Sequence, residues 1–292
     1  MNGILVIDKE KNMTSRDVVN QINRLFEESK VGHAGTLDPN ATGVLLIAIG
    51  NATKIIELLS DDDKEYIGEV ILGISTDTLD ITGNIIEKCK VTDIDIKKLK
   101  EVLNSFKGKI KQEVPLYSAV KVNGKRLYQY ARGNEKVTLP IKEVNIKEIQ
   151  IISDIKHLDN TIRFNIRCVV SKGTYIRSLI KDIGLKLNLP SCMGDLRRIR
   201  QGNITIKDAF KLDNIINYKL LKIEALLSNY EKIIVDKNLE EQIRHGRVLD
   251  KFFKNDIALI FNKEKELIAI YEIYKKDKLL VKPKIVFMPS NN

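Results

Sequence analysis

The chain has 292 residues, 43% of them hydrophobic, and a formal net charge of +10. That suffices for one large domain or two unequal ones with a sizeable core, and the lysine and arginine excess points to an anionic partner such as nucleic acid. No apolar run approaches the ~20 residues of a membrane span, the N-terminus lacks signal-peptide architecture, and Cys89, Cys168 and Cys192 are too sparse for a disulfide framework, so a cytoplasmic protein is expected.

In chain order, residues 3–7 read as a strand ending at Asp8-Lys9. A helix opens at Ser15, read as its N-cap, with Val18, Val19, Ile22, Leu25 and Phe26 at helical spacing. Residues 32–43 are dense in glycine and proline and lead into an apolar run, 44–49, that reads as a buried strand. Pro39 biases Asp38 towards an extended or turn conformation. One carboxylate therefore sits in a rigid loop at the mouth of a core strand, a common location for chemistry. Taken alone, the same loop reads first as a structural Asx-type turn before a strand.

A short helix over 51–59 carries Lys54 in its first turn. Asp61-Asp62-Asp63 is a solvated turn, and Lys64-Glu65-Tyr66 leads into a strand over 67–73. Residues 76–83 form a polar loop, and 95–106 a helix with Ile96, Leu99, Val102, Leu103 and Phe106 on one face. The segment 108–142 interleaves bases with tyrosines, which suits phosphate contacts and base stacking but equally an ordinary surface hairpin. Strands follow at about 143–153 and 161–170, then a Gly-Thr turn at a helix start that can bind an anion. That helix covers 178–187, with Arg177 at its opening, and 195–202 reads as a basic turn. Residues 213–230 read as a helical connection. Beyond 230, short apolar runs at 233–235, 257–261, 267–271, 279–281 and 285–288, separated by charged turns, indicate a small β-rich domain. The charge is uneven: between 163 and 211 there are eleven Lys/Arg against three Asp, a net +8, the footprint expected of phosphate contacts.

The histidines, His33, His157 and His245, show no ligand spacing, and no dinucleotide fingerprint, phosphate loop or serine-nucleophile motif occurs. No metal or cofactor is expected. Side chains alone would then carry any chemistry, and Asp38, Tyr66, Tyr175 and Arg177 stand out, each near a strand end. A carboxylate facing an arginine is favoured in its charged form, which suits a nucleophile or a proton acceptor. Spacing alone does not separate that role from a structural Asp–Arg pair.

His33-Ala34-Gly35-Thr36-Leu37-Asp38-Pro39 with Ala41-Thr42-Gly43 resembles the catalytic motif of the TruB family of tRNA pseudouridine synthases. Lys64-Glu65-Tyr66 with Thr76-Asp77-Thr78, Asp80 and Gly83 resembles the second family motif. Pro115, Tyr117-Ser118-Ala119, Lys121, Gly124 and the stretch from Tyr128 to Arg132 resemble the family's RNA-gripping insertion. Ser171 to Arg177 followed by Leu196-Arg197-Arg198 resembles the last motif. The likeness runs in order over residues 3–210, departing at Val170, where the family carries cysteine, a change expected to affect packing.

The resemblance implies an α/β (α+β) pseudouridine synthase fold. It implies a long, bent, mainly antiparallel sheet flanked by helices, in a catalytic domain over 1–230. An RNA-gripping thumb would occupy 108–142 and a PUA-like RNA-binding domain 231–292. It implies isomerisation of uridine-55 in the T loop of tRNA to pseudouridine. Asp38 would be the essential carboxylate, attacking the base or sugar or removing a ribose proton. Tyr66 would stack on the target base and serve, directly or through water, the C5 proton. Arg177 would pair with Asp38. His33 would insert into the T loop, Tyr175 and Leu196 would line the pocket, and Lys9, Lys54, Lys172, Arg197 and Arg198 would bind substrate as phosphate or pocket contacts. The partner would be the T arm of tRNA, without guide RNA or membrane, and the protein a monomer. The alternative from another class is a non-catalytic tRNA-binding or folding factor.

Overall fold

Residues 44–49 are apolar without alternation because both faces of their strand are covered. In the computed structural model, which describes residues 2–26, 29–213 and 218–287, Leu45, Ile47 and Ile49 join one hydrophobic cluster and Val44, Leu46 and Ala48 another. The first strand repeats the division, with Leu5 and Ile7 on one side and Ile4 and Val6 on the other. Side chains alternate across a strand, so a run that is apolar at every position marks the middle layer of three.

The chain enters through β1 (Gly3–Lys9), α1 (Ser15–Leu25), β2 (Val31–Ala34) and β3 (Thr42–Ile49). A 3-10 turn (Gly50–Ile55) and α2 (Ile56–Ser60) lead to β4 (Lys64–Leu72) and a small hairpin of β5 (Ile74–Thr76) and β6 (Ile85–Lys88). Next come α3 (Ile96–Asn104), β7 (Gly108–Glu113), a ribbon of β8 (Lys121–Val122) and β9 (Lys125–Arg126), and α4 (Leu127–Arg132). Then follow β10 (Ile141–Ile151), β11 (Lys156–Leu158), β12 (Thr161–Val170), α5 (Ile176–Leu187), β13 (Ser191–Gln201) and β14 (Ile204–Thr205). The large sheet has the order β1-β3-β13-β4-β12-β10-β7, with β2, β11 and β14 paired at its margins. Its neighbours are antiparallel except β3 and β13, which run parallel where Thr42 and Gly43 face Arg197 and Arg198. This is the mixed, mainly antiparallel sheet expected from the sequence.

Helices α1, α3 and α5 cover one face through Val18, Val19 and Ile22, through Leu99 and Leu103, and through Leu179, Ile180 and Ile183. The other face meets a second sheet. After α6 (Ile223–Leu226), that sheet is built from β15 (Glu231–Ile234), β16 (Leu249–Asp250), β17 (Ile257–Phe261), β18 (Leu267–Ile273) and β19 (Leu280–Val286), with α7 (Lys237–Arg244) between its first two strands. Leu259, Phe261, Ile270 and Phe287 share one cluster with Ile4, Val6 and Leu46. The far side of the second sheet closes over Ile243, Phe253 and Tyr271.

Several local expectations change. The N-cap of α1 is Thr14, which forms a capping box with Asp17; Ser15 is left free to hold another segment. Residues 195–201 form strand, not a basic turn, because their backbone pairs with β3 on one side and β4 on the other. The flanks of the 108–142 insertion are sheet strands, β7 pairing with β10 from Gly108–Ile146 to Glu113–Ile141, so the projecting part is 114–140. Helix α5 begins two residues early and takes Arg177 into its first turn. Of the helical connection over 213–230, α6 is the clear helix among the described residues; positions 214–217, like Met288 of the last apolar run, lie outside them. Val170 is buried in the first cluster, a packing position.

Gly43 shows why β3 and β13 can run so close. Its φ is +101° and a Cβ there would collide with the Arg198 carbonyl oxygen. Gly43→Ala is expected to lower the unfolding free energy by about 3 kcal/mol, read by urea denaturation. A loss below about 0.5 kcal/mol, the size of an ordinary surface change, would contradict the close approach.

Candidate active site

Asp38 and Arg177 lie 139 residues apart in the chain and meet between the loop after β2 and the first turn of α5. Arg177 Nε lies 3.0 Å from Asp38 Oδ2 and its Nη2 donates to Asp38 Oδ1 at 3.3 Å, a two-point grip that fixes the carboxylate plane. The guanidinium side is 5% exposed and the carboxylate 41%, so the arginine is the floor and the carboxylate faces the opening. Arg177 also donates through Nη1 to the Thr78 carbonyl and through Nη2 to the Tyr117 carbonyl, both at 3.0 Å, with Asp80 Oδ2 at 3.9 Å from Nη1. One side chain thus joins the Asp38 loop, the 76–83 loop, the 114–140 projection and α5.

A cavity of about 290 Å³ opens over this pair. Its lining includes Asp38, Tyr66, Tyr175, Arg177, Leu196 and Arg198, and among the described residues Asp38 is the one acidic side chain in it. Tyr66 on β4 is paired across to Arg198 on β13 and is 7% exposed. Two irregularities in the β13–β4 register, between Met193 and Leu196 and between Arg198 and Arg200, re-aim the strand where it lines the cavity. Burial raises the Tyr175 phenol above its ordinary value. Burial lowers Lys64, also on the lining, to about 8. A second cavity of about 420 Å³ lies on the other side of Asp38, Arg177 and Leu196, lined further by Asn12, Asn40, Asp80 and Asp195.

The loop that presents Asp38 is held from three directions. Ser15 Oγ bonds both the N–H and the carbonyl of Leu37, at 2.9 and 3.2 Å. Lys9 Nζ donates to the Pro39, Glu10 and Met13 carbonyls at 3.0, 2.8 and 2.7 Å. Arg198 donates to the Gly35 and Val44 carbonyls, both at 2.7 Å. Lys9 and Arg198 are both fully buried. The phosphate half of their expected role as phosphate or pocket contacts is therefore corrected: the Lys9 ammonium and the Nε and Nη2 of Arg198 are held by carbonyls inside the fold and support the loop, while Arg198 also lines the cavity. Burial, opposed by Asp38 and reinforced by Arg198, lowers Lys9 from 10.5 to about 8.

The remaining expected contacts lie apart from the cavity. His33 sits on β2, half-buried, and burial with the charges of Arg16 and Arg198 lowers its pKa, keeping it neutral at pH 7. Lys54 donates to the Val286 carbonyl at 2.8 Å, tying the 3-10 turn to β19. Lys172 pairs with Asp61 at 2.8 Å on the surface. Arg197 forks onto Asp8 at 2.7 and 3.0 Å. The +8 segment is not one free cationic patch: Arg163, Arg167, Lys172, Arg177, Lys181, Arg197 and Arg200 all pair with carboxylates outside it. Charge counted along the chain ignores the acids that folding brings opposite. Sequence reasoning missed Ser15 and Gln112 as supports, since neither carries a charge or a motif signal.

No group of His, Cys, Asp and Glu among the described residues is arranged to hold a metal ion, and no helix among them is long and apolar enough to cross a membrane.

Lys9 titrates lower in the fold than in the unfolded chain, so between about pH 8 and 10.5 the native state binds fewer protons. Stability from this group therefore rises with pH across that window and is lost as pH falls through 8. The unfolding free energy of the native chain minus that of Lys9→Met should grow between pH 7.5 and 10, read by urea denaturation. A constant difference would contradict the buried ammonium.

A family model described as TruB family pseudouridylate synthase (N terminal domain) matches residues 23–176. The tRNA pseudouridine synthase B of Staphylococcus aureus strain MSSA476 is 40% identical, over 98% of this chain and 99% of that protein, and that of strain Newman matches to the same extent. Among solved structures, a Cbf5-Nop10-Gar1 complex aligns with a TM-score of 0.72 at 25% identity, over 98% of this chain and 85% of that one. An H/ACA RNP bound to a substrate RNA containing 2′-deoxyuridine aligns with the same TM-score at 22% identity, over 99% and 86%.

Proposed function

This chain belongs to the TruB family of pseudouridylate synthases, and from that membership we infer the reaction carried out over Asp38. The protein is a tRNA pseudouridine synthase, an isomerase acting on uridine in tRNA. We assign its target to position 55 of the T loop, following the family to which its relatives belong. The bond from uracil N1 to C1′ breaks, the base turns, and C5 bonds to C1′. C5 gives up a proton and N1 gains one, so the product has the same atoms as the substrate.

The observation that carries the site assignment is the Asp38–Arg177 grip at the opening of a cavity whose lining holds no other carboxylate among the described residues. Asp38 supplies the charge that the cleavage step needs, and Arg177 keeps its oxygens at a fixed angle, which is how positioned groups lower a barrier. Tyr66 and Tyr175 offer flat faces to an extruded base, and Leu196 closes the lining between them. Tyr66 receives the C5 proton directly or through water. Extruding a base costs a few kcal/mol, which contacts along the 114–140 projection, with Tyr128, Tyr130 and Arg132, offset by stacking and phosphate pairing.

We further propose a single chain acting on bare tRNA in the cytoplasm, without a guide RNA. Identity of 40% with relatives named for tRNA, against 25% with the Cbf5 chain, supports this reading, and three free cysteines suit a reducing compartment. The C-terminal sheet is assigned to RNA binding as a PUA-like domain, a reading supported by its β-rich build and its contact with Lys54.

With tRNA tritiated at uridine C5, Asp38→Asn should release no tritium above background while its affinity for tRNA stays within about threefold of the native chain, because no phosphate contact is lost. Release at the native rate by Asp38→Asn would assign this cavity to RNA binding or folding without chemistry.

A further inference from the structure

Tyr175 opens α5 without a side-chain cap of its own. Its backbone is held instead by a side chain from a strand of the large sheet. Gln112, on β7, accepts from the Tyr175 N–H through Oε1 at 2.8 Å and donates through Nε2 to the Tyr175 carbonyl at 3.1 Å. It is 1% exposed and lines neither cavity. A primary amide that bonds both backbone polar groups of one residue fixes that residue's orientation as well as its distance. The residue held is one of the two cavity tyrosines, two positions before Arg177.

The next residue on β7 adds a grip of a different kind. The Glu113 carbonyl accepts from Ser178 Oγ at 2.8 Å, and its carboxylate pairs with Lys181 at 2.9 Å. Those contacts dock the strand on the helix beyond the cavity residues. Immediately after β7 the chain leaves as the 114–140 projection, whose root closes with the Val114 N–H on the Pro140 carbonyl. Within it, the Tyr117 carbonyl accepts from Arg177 Nη2. The projection is therefore joined to the Tyr175–Arg177 turn at two points, by its own backbone at Tyr117 and by its stem at Gln112.

We propose that Gln112 is a positioning residue for the isomerisation: its amide passes the placement of β7, and with it the RNA-gripping projection, to the Tyr175–Arg177 turn, and so sets the angle at which Arg177 presents Asp38. This inference rests on the tRNA isomerase reading above. It separates two consequences of losing the amide. The fold keeps its β7–α5 contact through Glu113, Ser178 and Lys181, and RNA still meets the projection. Tyr175, and through it the start of the turn that carries Arg177, loses one angular reference, and a misplacement of about 1 Å costs about 100-fold in rate.

The test is single-turnover tritium release from C5-labelled tRNA, with tRNA affinity and thermal midpoint measured on the same preparations. Gln112→Met keeps the length and volume of the side chain and removes both hydrogen bonds. Its rate should fall by about 100-fold with tRNA affinity within about twofold of the native chain. Ser178→Ala cuts a bond between the same two elements without touching Tyr175, and its rate should stay within about threefold of native. If Gln112→Met does not fold, Gln112→Glu carries the test, because its carboxylate still accepts from the Tyr175 N–H but cannot donate to the carbonyl; slowed release with retained affinity is again expected. A native rate in the folded Gln112 variant, or an equal loss in Ser178→Ala, overturns the inference and leaves the isomerase reading standing. No release by the native chain overturns both.

Discussion

The site depends on one guanidinium. Arg177 is almost wholly enclosed, and a buried arginine is tolerated where its donors are met by fixed acceptors. Here they are the two oxygens of Asp38 and the carbonyls of Thr78 and Tyr117. Each acceptor belongs to a segment distant in the chain, so satisfying one side chain brings three loops to the start of α5. The geometry of Asp38 follows from that arrangement, because the carboxylate can meet Nε and Nη2 together in one plane only. The same contact that keeps the arginine stable orients the acid.

Around that pair the fold uses buried cations as braces. Lys9 and Arg198 have no exposure, and both end on backbone carbonyls of the Asp38 loop or its flanks. The cost of burying charge is offset by hydrogen bonds from Lys9 Nζ and from Arg198 Nε and Nη2, which in turn hold the Asp38 loop in place. Ser15 completes the support because Thr14 takes the capping role. The middle layer of the sheet supplies the rigidity behind it: β3 is covered on both faces, and Gly43 lets it close on β13 beside Arg198.

Much of this was legible before folding was considered. The unbroken apolar run at 44–49 signalled a buried strand, and the likeness of four ordered motifs named Asp38, Tyr66, Tyr175 and Arg177, which the cavity brings together. What could not be read was direction. Lys9, Arg197 and Arg198 look alike in a basic sequence, yet one supports a loop, one pairs with Asp8 and one spans two strands inside the core. The turn expected at 195–202 became a strand because its partners on β3 and β4 lie more than 100 residues away and local composition does not contain them. Gln112 was silent for a similar reason: an uncharged amide acquires its importance from the one residue it faces.

The central proposal is a stand-alone isomerase of one tRNA uridine, built over the Asp38–Arg177 pair. Mapping pseudouridine at single-nucleotide resolution in an unmodified tRNA transcript, incubated with the purified chain and nothing else, tests it directly. The account predicts modification at uridine 55 and at no other position. Modification elsewhere, or modification that requires an added guide RNA, would contradict it.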